Sequence, residues 1–160
     1  MDILLPEFKQ LLLLLNKFKV TYMLIGGYAV IYYGYERNTT DMDIWLKPEN
    51  DNRDALISAL KEFGIEDESL NKISFLDFTS IHCFHFGHRP RRIDFLTHIN
   101  GVPFDQAEKK INYFSMADEK IPIIDYHHLI LSKISNKRPQ DIADIDQLQK
   151  INQFKKNPEA

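Results

Sequence analysis

The sequence predicts a mixed α/β (α+β) fold: a small mixed sheet flanked by helices, with a helical C-terminal part. Three observations predict it. Short apolar runs rich in β-forming residues alternate with stretches whose apolar residues recur every three or four positions. A glycine pair, Gly26-Gly27, stands where one such run gives way to a helix-like segment. The chain closes on two helix-like stretches separated by Asn136-Lys137-Arg138-Pro139.

Taken in order, Leu4, Leu5, Phe8, Leu11, Leu12, Leu15 and Phe18 mark an amphipathic first helix, with Pro6 tolerated in its first turn. Val20 to Ile25 is a β-rich run that ends at the glycines, and Tyr28 to Tyr33 continues as a short helix starting directly at Gly26-Gly27. Its first N–H groups lack intrahelical partners, so its positive end suits an anion. Met42 to Leu46 is the second strand, stopped by Pro48. Asn50 to Phe63 is helical, with Ala55, Leu56, Ala59, Leu60 and Phe63 on the sheet side and Gly64 as its stop. Ser80 to Phe86 and Arg92 to Thr97 read as neighbouring strands, joined by a turn containing Gly87 and the basic run Arg89-Pro90-Arg91-Arg92. After Pro103 a small strand pair is expected around Tyr113–Met116 and Lys120–Ile124, and then helices from Tyr126 to Ser135 and Gln140 to Phe154. No internal repeat or low-complexity tract interrupts this order.

An apolar fraction of 44% supports a real core. The net charge of −3 argues against an extended non-specific grip on nucleic acid, which needs a basic face. One cysteine, Cys83, excludes an internal disulfide framework and suits a reducing cytoplasm. The Leu11–Leu15 run is too short to span a membrane, and with Asp2 and Glu7 before it there is no basic leader. A soluble cytoplasmic protein without a membrane partner is expected.

The chemistry concentrates between Leu24 and Leu46. The glycine pair allows close backbone approach to a phosphate. Downstream, Asp41-Met42-Asp43 puts two carboxylates on one face of a strand, where they repel unless a cation lies between them. Strands are depleted in Asp, so two in one short segment need a reason. Asp94, between Ile93 and Phe95, supplies a third carboxylate from the strand expected at Arg92 to Thr97. Three carboxylates are enough to hold two divalent ions against a nucleoside triphosphate. Arg37, four residues before Asp41, is placed to offset polyphosphate charge. His82, Cys83, His85 and His88 alternate across a strand and match no closed zinc site.

The glycine pair, the Asp-x-Asp and the later lone Asp together resemble the DNA polymerase β superfamily of nucleotidyltransferases. The similarity is greatest to its minimal members: lincosamide- and aminoglycoside-modifying enzymes, and the nucleotidyltransferase halves of abortive-infection toxin–antitoxin systems. It spans about residues 20 to 145. Two departures stand out. Gly27 replaces a frequent Ser, which removes a hydroxyl but keeps the turn, and the gap from Gly27 to Asp41 is long.

The resemblance implies a single domain over 1–160, with a catalytic core at 20–100 and C-terminal helices at 125–155. It implies Mg2+ or Mn2+ held by Asp41, Asp43 and Asp94, with these three also catalytic. The nucleoside triphosphate would be bound through Gly26, Gly27, Arg37 and Lys133. Lys133 stands where toxin-type relatives place a nucleotide-reaching lysine, and Asp144 follows in the acid-rich helix after Arg138-Pro139. For Asp141 and Asp144 the simpler reading is favourable charge in a helix first turn. The implied reaction is transfer of a nucleoside monophosphate to a hydroxyl or amine of a small molecule, a protein or an RNA end. The rival is a non-catalytic, antitoxin-like binding module on the same fold, with a toxin–antitoxin partner. A metal-dependent phosphohydrolase is disfavoured, since no histidine lies between Gly26 and Leu46.

Overall fold

Helix α1 (Pro6–Lys17) forms because its apolar positions fall on one stripe, and Phe8, Leu11, Leu12 and Leu15 are buried along it. The computed structural model describes residue 1 and residues 3–159; Asp2 lies outside the described residues. Strand β1 (Tyr22–Ile25) is buried on both faces, as its unbroken apolar run requires, and passes straight into α2 (Gly26–Tyr32). Strand β2 (Asp41–Leu46) pairs antiparallel with β1, Ile25 lying opposite Asp43.

Helix α3 (Asn50–Phe63) ends at Gly64, whose φ of 106° is the left-handed cap that a glycine adopts without strain. Asn52 of α3 is its buried polar anchor. Its side chain accepts from the Thr21 amide at 2.8 Å and donates to the carbonyls of Thr21 and Lys47, at 2.8 and 3.0 Å. That ties the helix to the ends of β1 and β2. Helix α4 (Asp67–Ser74) then packs on α3 through buried Leu70 and Ile73.

The hairpin of β3 (Cys83–Phe86) and β4 (Arg92–Leu96) returns the chain to the sheet, β4 running parallel to β2. A short helix α5 (Phe104–Glu108), strands β5 (Asn112–Met116) and β6 (Glu119–Ile123), and helices α6 (Tyr126–Asn136) and α7 (Pro139–Lys156) complete the chain. The six strands lie in the order β3-β4-β2-β1-β6-β5, with β6 parallel to β1. The expected fold class is therefore the observed one. The β-run expected from Val20 starts at Tyr22, and Ser80 to His82 stay outside β3; α4 and α5 were not expected at all.

The register decides what faces what. Met42 and Ile44 of β2 lie opposite Ile93 and Phe95 of β4, and all four are buried. Phe84 of β3 stacks on Phe95 at 5.4 Å, extending this apolar row to the sheet edge. The alternate positions, Asp41 and Asp43 on β2 and Arg92 and Asp94 on β4, share the other face. Among the described residues no helix is long and apolar enough to cross a membrane.

Candidate active site

A cleft of about 660 Å3 opens where β1 meets α2 and β2 begins. Gly26 and Gly27 line it, as do Asp41, Asp43, Arg37 and Lys133. Gly26 sits at φ 66°, and a Cβ there would strike the Asp43 carboxylate; one on Gly27 would strike the Thr39 hydroxyl. The pair is thus required by close approach: the turn lets β2 and the segment before it close onto the start of α2.

Asp43 lies directly opposite Asp94 across the β2–β4 pair, and Asp41 lies opposite Arg92. The three acids expected from the sequence share one face of the sheet, and Asp41 and Asp43 line the cleft. Burial, then the nearby charges of Asp41 and Asp94, push the Asp43 carboxyl up to about 7 from its ordinary 3.8. Such repulsion is what a divalent cation relieves, and oxygen donors suit a hard cation. By donor chemistry the residues fit a magnesium or manganese ion. Their oxygens do not converge, however: among the described residues no three acidic, His or Cys side chains form a ligand cluster. Arg92 grips both oxygens of Asp94, and Arg89 reaches Asp41.

The opposite wall comes from α6 and α7. Lys133 is buried, its ammonium 3.1 Å from Asp141 Oδ1 and 2.8 Å from Asp144 Oδ2. Arg138 Nε donates to Asp141 Oδ2 at 2.7 Å. Arg37 approaches Asp144 with Nε 2.8 Å from Oδ1, while its Nη2 donates to Oδ2 at 3.1 Å. Gln140 donates to Asp144 Oδ1 at 2.9 Å. Burial alone would raise the Asp141 carboxyl, but hydrogen bonds from Arg138 and Lys133 hold it below the ordinary range. Asp141 and Asp144 are therefore more than first-turn charges. They are a buried counter-ion pair that fixes three cations, Arg37, Lys133 and Arg138, on the cleft wall. Three cations against two acids leave that wall net positive.

Lys133 lines the cleft, as does Arg37, yet both head groups are engaged by Asp144. Asp94, at 6% exposed, lies beneath Arg92 and does not line it. Cys83 and His85 sit at the β3 edge, with His85 opposite Asp94, and the nearby histidines His82 and His88 fall outside the strand. Arg92, Arg89 and Arg138 had no assigned role from sequence. For Arg138 the signal was present, an Arg three residues before Asp141 at a helix start.

The chain is similar to a solved structure over nearly the whole length of both. That structure is the lincosamide antibiotic adenylyltransferase LnuA with lincomycin bound, at a TM-score of 0.56 and 21% identity, covering 91% of this chain and 96% of that one. The fold is that of a nucleotidyltransferase. No family model matches the sequence, and no curated protein does. In this nucleotidyltransferase fold Asp41, Asp43 and Asp94 belong to the sheet, Lys133 and Arg138 come from α6 and the start of α7, Arg37 from the segment before β2, and the glycine turn lines the cleft.

Proposed function

We propose that this chain transfers a nucleoside monophosphate from a nucleoside triphosphate to a hydroxyl or amine of an acceptor, releasing pyrophosphate. The observation that carries this reading is the register of β2 on β4. It sets Asp43 against Asp94, with Asp41 on the same face, at a cleft whose other wall is net positive. Acids and cations facing each other across one cleft suit a polyphosphate bound with a counter-ion. A protein that merely bound an anion would gain nothing from the acids.

Asp41, Asp43 and Asp94 would hold Mg2+ or Mn2+, which supplies charge neutralisation at the phosphates and acidifies a bound nucleophile. The Gly26-Gly27 turn admits the phosphates, and Arg37 and Arg138 offset their charge by bidentate hydrogen bonds. The acceptor O–H or N–H attacks the α-phosphorus, the new bond to phosphorus forms, and the α–β bridging bond breaks. Asp94 takes the proton. Most of the acceleration comes from positioning and charge compensation. The similarity to an adenylyltransferase solved with lincomycin supports ATP as donor and a small molecule as acceptor.

The test incubates the chain with α-labelled ATP, the other triphosphates, Mg2+ or Mn2+, and either lincomycin or a cell extract. Transfer of label with pyrophosphate release is expected, and it should vanish in Asp41→Asn/Asp43→Asn. If nothing is labelled under any triphosphate or metal, the antitoxin-like binding module replaces this reading. The hold of Arg92 and Arg89 on two of the acids favours that alternative.

A further inference from the structure

The turn between β3 and β4 and the first residue of β4 carry three arginines, Arg89, Arg91 and Arg92, and each is engaged by an acid. Arg91 Nη1 lies 3.2 Å from Glu7 Oε1 on α1, away from the cleft. Arg89 Nη2 lies 3.3 Å from Asp41 Oδ2. Arg92 is bound most firmly: Nε donates to Asp94 Oδ1 and Oδ2 at 3.1 and 3.0 Å, and Nη2 donates to Oδ1 at 2.8 Å. The backbone places this last pair. Arg92 stands two residues before Asp94 on the same strand and opposite Asp41 on the next, so its side chain rises on the face that bears the acids.

A carboxylate whose two oxygens both accept from a guanidinium has little left to offer a metal ion. Taking Asp94 as a ligand means removing Arg92, and the released guanidinium, 35% exposed and on the face that bears the acids, is free to take a new anion. The triphosphate is that anion, and Arg binds phosphate in the same forked geometry it uses for carboxylate. A cation arriving alone must break the Arg92–Asp94 pair without compensation, and a triphosphate arriving alone meets the acids of β2, of which Asp41 has the partly exposed Arg89 as partner. Arriving together, each supplies the partner that the other displaces.

We propose that Arg92 is a positioning residue that makes divalent-cation binding and triphosphate binding depend on each other, by exchanging Asp94 for phosphate. This rests on the acids being the metal site. By linkage the coupling is reciprocal: the factor by which nucleotide tightens metal equals the factor by which metal tightens nucleotide, and such factors commonly run about 5–150-fold.

The experiment titrates Mn2+, read by the electron paramagnetic resonance of the free ion, with and without the non-hydrolysable α,β-methylene ATP. Wild type should bind Mn2+ weakly alone and roughly tenfold or more tighter with the analogue. Arg92→Gln should bind Mn2+ alone more tightly and lose most of the coupling. Arg92→Lys, which keeps the charge without the fork, should fall between and guards against a folding defect in the first variant. Arg91→Gln makes the same change in net charge from the same turn and should behave as wild type. Equal coupling in wild type and Arg92→Gln overturns the proposal, and so does an equal gain in Mn2+ affinity from Arg91→Gln, which would reduce the effect to net charge. Should Asp41→Asn/Asp43→Asn bind Mn2+ as wild type does, the metal site itself falls, and the proposal with it. Uncoupled binding at intact acids would overturn the exchange alone.

Discussion

Asp43 carries the sharpest consequence of the site at the level of single residues. Its carboxyl titrates near 7 in the fold against 3.8 ordinarily, because burial comes first and the charges of Asp41 and Asp94 add to it. The folded chain therefore holds this proton more tightly than the unfolded chain does, and the group's contribution to stability declines as pH rises from about 4 to about 7. In EDTA, urea midpoints should fall over that interval more steeply for wild type than for Asp43→Asn, and the variant should be the more stable protein at pH 8. Parallel midpoint curves for the two would mean that Asp43 does not feel its neighbours. The glycines give a second prediction. A valine at 27 meets the Thr39 hydroxyl and pries the segment before β2 away from α2. Nucleotide-analogue affinity should drop at least tenfold while far-UV circular dichroism stays native; unchanged affinity in the folded variant would remove the turn from the site. Asp41 and Asp43 were legible in the sequence because strands rarely hold two Asp. Arg92 was not, since its role depends on register, and nothing in Arg89-Pro90-Arg91-Arg92 says which arginine binds Asp94.

Among the elements, the pairing of α6 with α7 is the one that polarity specifies. Lys133 on α6 and Asp141 and Asp144 on α7 are all at least nine-tenths buried, so charges join the two helices. Truncating one member leaves the others unpaired in a dry setting, which costs about 3–5 kcal/mol. Asp144→Ala should lower the urea-derived stability by that order and weaken nucleotide binding, because Arg37 loses its anchor. A change below about 1 kcal/mol would show that water replaces the carboxylate without loss. The sequence showed helices here but not their seam, because hydropathy periodicity counts apolar residues alone. Short helices escaped for a related reason: α4 buries only Leu70 and Ile73, and α5 only Phe104 and Ala107, too few positions to display a period.

For the molecule as a whole, the sheet order and the cleft depend on one another. The strands bearing Asp41, Asp43 and Asp94, β2 and β4, are neighbours inside the sheet, and α6 and the start of α7 bring Lys133 and Arg138 to the same cleft. Mg2+ with a non-hydrolysable triphosphate should raise the thermal midpoint by several degrees, since anything that binds only the folded state stabilises it. Asp41→Asn/Asp43→Asn should lose that shift; an unaltered shift would place the nucleotide elsewhere. The alternation of strand and helix was readable from sequence, as was the position of the glycine turn. The strand order was not, because nothing local distinguishes a parallel neighbour reached through α3, α4 and β3 from an adjacent hairpin.

That long crossover has a kinetic side. Asp43 and Asp94 come together only when β4 docks on β2, after the intervening helices and hairpin have closed a large loop. Pairing across such a separation is slow, because loop entropy is lost before contacts compensate. A half-folded chain in which β4 has yet to dock holds Asp-x-Asp without its third acid, and so offers metal and nucleotide little to bind. Ligand should then act on the exit from the native state: stopped-flow unfolding should slow in Mg2+ and triphosphate analogue while the refolding rate stays where it was.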